Sequence, residues 1–196
     1  MVIPDFLESA VTAFPPSCGI FSASAARILK PFVDQRYRMP PWRPVIVLGE
    51  AVRIPYRIHF QGLDESNLQI RGDARAAILC LCTRSTDGYT RQRALRQVLT
   101  IGEPWIAPFV MLLAGEYVVE IIEDIVRNIP AFNREIYAAF VRENRIFMQF
   151  LRARATSYWN EYYRCPCYKH PHYGVGYHRD TYPGLIFLDQ LEMWAN

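Results

Sequence analysis

From Asp73 to Tyr163 the chain places apolar residues at helical spacing, and the interruptions carry Gly or Pro. A period near 3.6 sustained this far predicts helices that each have an apolar face to bury, so they must pack on one another. Residues 74–82 read as an Ala-rich apolar helix, and Ser85, Thr86, Asp87 and Gly88 as a turn. Residues 90–99 are amphipathic, with Leu95, Val98 and Leu99 apolar and Arg91, Arg93 and Arg96 polar. Residues 105–129 predict one long helix or a pair, with Pro108 tolerated only in the first turn and Gly115 marking a break. Residues 132–163 form the longest periodic stretch, with Ile136, Phe140, Phe147, Leu151 and Tyr158 in one stripe.

The flanks differ. Residues 5–14 and 24–29 predict two short helices, ended by Pro15 and Pro31. Pro40, Pro41 and Pro44 stiffen a connector around Trp42. Residues 45–48 are an apolar run of strand type. After Gly49 and Glu50, Val52, Ile54, Tyr56, Ile58 and Phe60 alternate with Arg53, Pro55, Arg57 and His59. Period two predicts an extended, half-buried segment, and Pro55 places it at an edge. Residues 164–182 are aromatic and His-rich, and Pro183 opens a last helix with Leu185, Leu188, Leu191 and Trp194 on its apolar face. The prediction is therefore a mainly α single domain over residues 1–196. It is a compact helical bundle or a short helical stack, with a small β-hairpin near residues 45–60. Its parts are an irregular segment 1–44, the hairpin 45–60, a helical core 73–163, an aromatic and His-rich loop 164–182 and a C-terminal helix 183–194.

Composition narrows the class. With 51% hydrophobic and 21% charged residues the chain is not a disordered polymer. Its longest apolar run, residues 105–114, is half of the ~20 residues a membrane span needs, so no membrane partner is expected. The first ten residues carry Asp5 and Glu8 and no Lys or Arg, unlike a secretory leader. Cys18, Cys80, Cys82, Cys165 and Cys167 are odd in number and show no disulfide spacing, which predicts reduced thiols and a cytoplasmic location. Twenty of the 22 basic residues are Arg, yet the net charge of +3 does not by itself imply nucleic acid.

Asp87, Gly88, Tyr89, Thr90, Arg91, Gln92, Arg93 and Ala94, with Val98 four residues on, carry a resemblance. The segment 73–99 is similar to a HEAT-type helical repeat. The resemblance implies two antiparallel helices around the turn, Asp87 capping the second helix, and Arg91 pairing with the turn Asp of a neighbouring repeat. It also implies a surface suited to other macromolecules.

Two clusters carry chemistry. Cys165, Cys167, His170, His172 and His178 offer thiolate and imidazole, the ligands zinc prefers. Cys-x-Cys and His-x-His on an extended chain put both ligands on one face. One reading is a zinc site or a metal-dependent hydrolase. The other is an aromatic loop whose His and Tyr groups bond to backbone. Glu116, Glu120 and Asp124, with Glu123 beside them, form a carboxylate stripe on a helix. Glu120 is expected to be partly buried, and the stripe to pair with Arg91, Arg93, Arg134 or Arg142. Carboxylate-bridged metal bundles need Glu-x-x-His pairs, which this helix lacks.

No phosphate loop, dinucleotide loop, nucleophile elbow or His-Glu-x-x-His occurs in the sequence. Cys82 with His59 is a Cys/His pair on paper only. The expectation is a non-enzymatic protein-interaction module, of which an immunity-type inhibitor is one form. Its partner-binding candidates are Arg53, Arg57, Tyr168, His170, Tyr173 and Tyr177, with Tyr168, Tyr173 and Tyr177 exposed. The alternatives are a zinc-binding protein or metal-dependent hydrolase using the Cys165–His178 cluster, and nucleic-acid binding through the arginines of residues 132–163, among them Arg142, Arg145, Arg152 and Arg154. A homodimer is compatible with each.

Overall fold

In the computed structural model the described residues are 5–37, 40, 44–164 and 176–196. Among them lie nine α-helices and one two-stranded antiparallel sheet, the mainly α architecture that the periodicity predicts. Two units divide the chain, Met1–Phe109 and Val110–Asn196, and the boundary falls within one helix. No helix among the described residues is long and apolar enough to cross a membrane.

The first unit opens with α1 (Phe6–Val11), whose N-cap Asp5 accepts from the Glu8 N–H. Next comes α2 (Gly19–Leu29), five residues longer at its start than the sequence predicts. A chain of rings, Phe14, Phe21, Trp105 and Phe109, packs at centroid separations of 5.0–6.3 Å. The hairpin β1 (Val45–Val47) and β2 (Glu50–Val52) pairs Val47 with Glu50, leaving Leu48 and Gly49 as its two-residue turn. Both turn residues have positive φ, 56° and 78°, as a turn matched to strand twist requires.

β2 ends at Val52, so Pro55 lies beyond the ladder. The alternation holds only in part: Val52, Ile54 and Ile58 are fully buried, but Pro55 is buried as well, and Tyr56 and Phe60 are half-buried like Arg57 and His59. The extended segment after β2 is stitched to several others by backbone bonds. Arg53 N–H donates to the Thr12 carbonyl, Ile58 N–H to Arg84, and Gln61 N–H to Phe32, while the His59 carbonyl accepts from Asp34. Arg84, 1% exposed, donates to the carbonyls of Pro55 and Tyr56.

α3 (Gly72–Cys82) and α4 (Gly88–Val98) form the expected helical hairpin. The Asp87 carboxylate caps α4 by accepting from Thr90 N–H at 2.7 Å. Arg91 turns inward and donates to the Ser85 and Thr86 carbonyls of its own turn, so it belongs to the buried side of the helix.

The boundary helix is α5 (Ala107–Ala114), separated by Gly115 from α6 (Val119–Asn128). A Cβ at Gly115 would collide with the Leu151 side chain, which fixes glycine at the break. The second unit continues with α7 (Arg134–Glu143), α8 (Arg145–Tyr158), a π-helical turn (Trp159–Tyr163) and α9 (Pro183–Ala195). α9 packs against α6, α7 and α8. The longest periodic stretch is therefore two helices. Asn144, with φ −125° and ψ 40°, breaks it, and its side-chain amide donates to the Phe140 carbonyl four residues back. Phe140, Phe147 and Leu151 of the expected stripe are buried, whereas Ile136 and Tyr158 are half-buried.

Candidate functional site

The residues singled out from sequence fall into three groups. Cys165, Cys167, Tyr168, His170, His172 and Tyr173 lie outside the described residues. His178 is described and exposed. Among the described residues no group of three or more His, Cys, Asp or Glu is placed to hold a metal ion. Arg53 and Arg57 belong to the first unit, Tyr177 and His178 to the second. Arg53 is exposed. Arg57 lies over the Tyr56 ring at 5.2 Å and donates to its carbonyl.

Tyr177 differs from expectation. It is half-buried, and its phenol donates to Glu123 at 2.8 Å. Burial and the Glu123 carboxylate together push its pKa up to about 12. Its backbone is fastened at both ends: the N–H donates to the Tyr163 carbonyl and the C=O accepts from the Trp159 indole, each at 2.8 Å. Tyr163 stacks on Tyr182 at 5.5 Å, and its hydroxyl donates to the Tyr117 carbonyl. The tyrosines near the C-terminal end of α8 thus interlock, and the π-helical turn carries two of these rings, Trp159 and Tyr163.

The acidic stripe is shorter than expected. Glu116 precedes α6, and Glu120 is exposed rather than partly buried. Asp124 and Glu123 pair with Arg127 on the same helix, at 2.7 and 3.5 Å. Three of the arginines expected as their partners act elsewhere. Arg93 bonds the buried Glu65, Arg142 bonds Glu135, and Arg134 lies over the Trp194 ring. The Cys82 thiol is buried and pushed up to about 12, while the His59 ring stacks on Tyr37 at 3.9 Å. That thiol is a buried hydrophobe and not a nucleophile.

Sequence reasoning missed the outward face of α8. Its buried side, Phe147, Met148, Leu151 and Ala155, packs into the unit. On the outer side Ile146 is 70% exposed, and Phe150, one turn on, is 37% exposed. Met193 on α9 is 65% exposed. A cleft of about 240 Å³ is lined by other residues of α7, α8 and α9, with Val141 and Met148 among its apolar lining and Arg142, Arg145, Arg152 and Glu192 among its polar lining. A second, shallower cleft shares Gln149 and Arg152 and continues past Ala153 and Ser157 to Asn160 and Arg179. Arg152 is held by Asp189 at 2.7 Å and Glu192 at 3.0 Å, so the side chain that joins the two clefts is fixed. The available signal was the pair Ile146 and Phe150, apolar at i, i+4 but off the main stripe.

Comparison of the chain with protein-family models, with curated proteins and with solved structures finds no match.

Proposed function

We propose that this chain is a non-enzymatic module that holds a partner protein, with the outward face of α8 as its contact surface. The observation that carries the reading is the pair Ile146 and Phe150, exposed one turn apart on α8. Large apolar side chains grouped on a surface lower the free energy of association when a partner covers them. Arg and aromatic side chains are the types that contribute most at protein contacts. An immunity-type inhibitor, which silences a partner enzyme by covering it, is the form of this function that suits a chain without a catalytic signature.

Most of the arginines expected to serve nucleic acid are engaged within the fold. Arg142 bonds Glu135, Arg152 bonds Asp189 and Glu192, and Arg154 donates to the Gly115 carbonyl and the Tyr158 hydroxyl. These pairs favour the protein reading.

The test is affinity capture from the source cells with the unaltered chain and with Phe150→Asp in parallel. One protein retained in stoichiometric amount by the unaltered chain, and lost by the variant at unchanged thermal midpoint, is the expected outcome. Equal retention by both chains removes α8 from the contact. Retention of nucleic acid alone removes the protein reading.

A further inference from the structure

We propose that Tyr117, Tyr158 and Tyr162 form a binding site for an alkylammonium cation, the head group of choline or of a methylated lysine. The site stands apart from the α8 contact proposed above and does not depend on it. Tyr117 lies in the connector between α5 and α6, Tyr158 ends α8, and Tyr162 lies in the π-helical turn that follows. Tyr163 fixes the connector by donating its hydroxyl to the Tyr117 carbonyl, across 46 positions of sequence.

Held this way, the three rings meet as a triangle. Their centroids are 6.1 Å apart for Tyr117 and Tyr158, 6.4 Å for Tyr117 and Tyr162, and 6.1 Å for Tyr158 and Tyr162. The interplanar angles are 58°, 45° and 30°, so no two of them stack flat. Rings at these separations share a point within about 6 Å of every centre, the range over which a cation is drawn to an aromatic face. Tyr117 is 47% exposed, and Tyr158 and Tyr162 are half-buried, so the triangle opens on solvent. Behind it Tyr163, fully buried, meets Tyr162 at 6.4 Å and stacks on Tyr182.

The surrounding charge has the matching sign. Glu116 precedes Tyr117, and the exposed Glu120 follows it by three residues, while the exposed Glu161 precedes Tyr162. Arg154 shows that these rings accept a cation. Its guanidinium lies over the Tyr158 ring at 5.5 Å and donates to the Tyr158 hydroxyl, and the Gly115 carbonyl holds it from the other end. A bare ammonium is strongly hydrated and loses much on leaving water. Methyl groups around the nitrogen remove that cost and pack on the rings, so an alkylated cation suits the triangle better.

Rings that pack without a ligand share these separations, so the test must separate charge from shape. The full chain is titrated calorimetrically with three probes. One is choline, one is a short peptide bearing a single trimethyllysine, and one is the neutral analogue of choline in which carbon replaces the nitrogen. Both cations are expected to bind, and the neutral analogue about tenfold more weakly. Tyr117→Phe should keep the affinity and Tyr117→Leu should lose about tenfold, since both retain the carbonyl that accepts from Tyr163. Tyr89→Leu, which removes an exposed ring of the first unit, should change nothing. Thermal melts check that each variant keeps its fold, and the comparison of choline with its neutral analogue needs no variant. Tighter binding of choline supports the site with a small-molecule or lipid head group as its source, and tighter binding of the peptide supports it with a protein source. Neutral and charged probes binding equally, choline binding that ignores Tyr117→Leu, or no binding of either cation overturns the proposal.

Discussion

Tyr177 shows how one side chain is tied to its surroundings. Its phenol gives a hydrogen bond to Glu123, and burial beside that carboxylate raises its pKa to about 12, against about 10 for a free tyrosine. The folded chain therefore keeps the proton where the unfolded chain releases it. The stability due to Tyr177 is fully present below pH ~10 and is lost as pH rises through about 12. Denaturant unfolding followed from pH 9 upward should show a steeper alkaline decline for the native chain than for Tyr177→Phe. Identical declines would mean that the hydrogen bond to Glu123 does not set the titration. The sequence marked Tyr177 as a binding residue from its neighbours Gly176 and His178. That reading could not see Glu123, which lies 54 positions away in the chain. Arg91 is a similar case. Spacing put it on the polar side, but it is buried and donates to two carbonyls of its own turn.

Elements were more legible than their ends. Asp87 as a cap could be placed from residue type alone, because it answers a local demand of the backbone. Gly115 marked its break by residue type too, but the contact that favours glycine there comes from Leu151, far along the chain. Asn144 could not be placed this way, since its break depends on a side-chain bond to Phe140 that competes with the helix. The strand-type run at 45–48 was visible, but its turn was not, and the period-two stretch from Val52 to Phe60 lies almost wholly beyond the hairpin. Leu48 adopts φ 56°, a left-handed conformation that a bulky side chain resists, and is 57% exposed. Leu48→Asn should therefore stabilise the fold by about 1 kcal/mol, because Asn tolerates that conformation and no core contact is removed. Equilibrium unfolding in urea measures this directly. A loss of stability would show that Leu48 packs against something that its exposure does not reveal. On α8 the buried stripe was read correctly, and the outer face was overlooked. Periodicity reports which side packs inward, whereas apolar groups left outside stand out only once the neighbours are in place.

The whole chain divides into a first unit built around the α3–α4 hairpin and the stitched segment after β2, and a second built around α9. The proposed function belongs to the second, where Ile146 and Phe150 are exposed on α8. The sequence pointed to an interaction module from its lack of catalytic signatures, and to residues 164–182 as the contact from their tyrosines. Tyr163, Tyr177 and Tyr182 instead serve as packing at the end of α8. The most direct test places a photo-crosslinking amino acid at position 150 on α8 or, as a control, at position 89, where Tyr89 is 77% exposed in the first unit. Each chain is irradiated with the partner captured from the source cells. An adduct from position 150 and none from position 89 is the predicted result. An adduct from position 89 with none from position 150 would contradict the assignment of the docking face to α8.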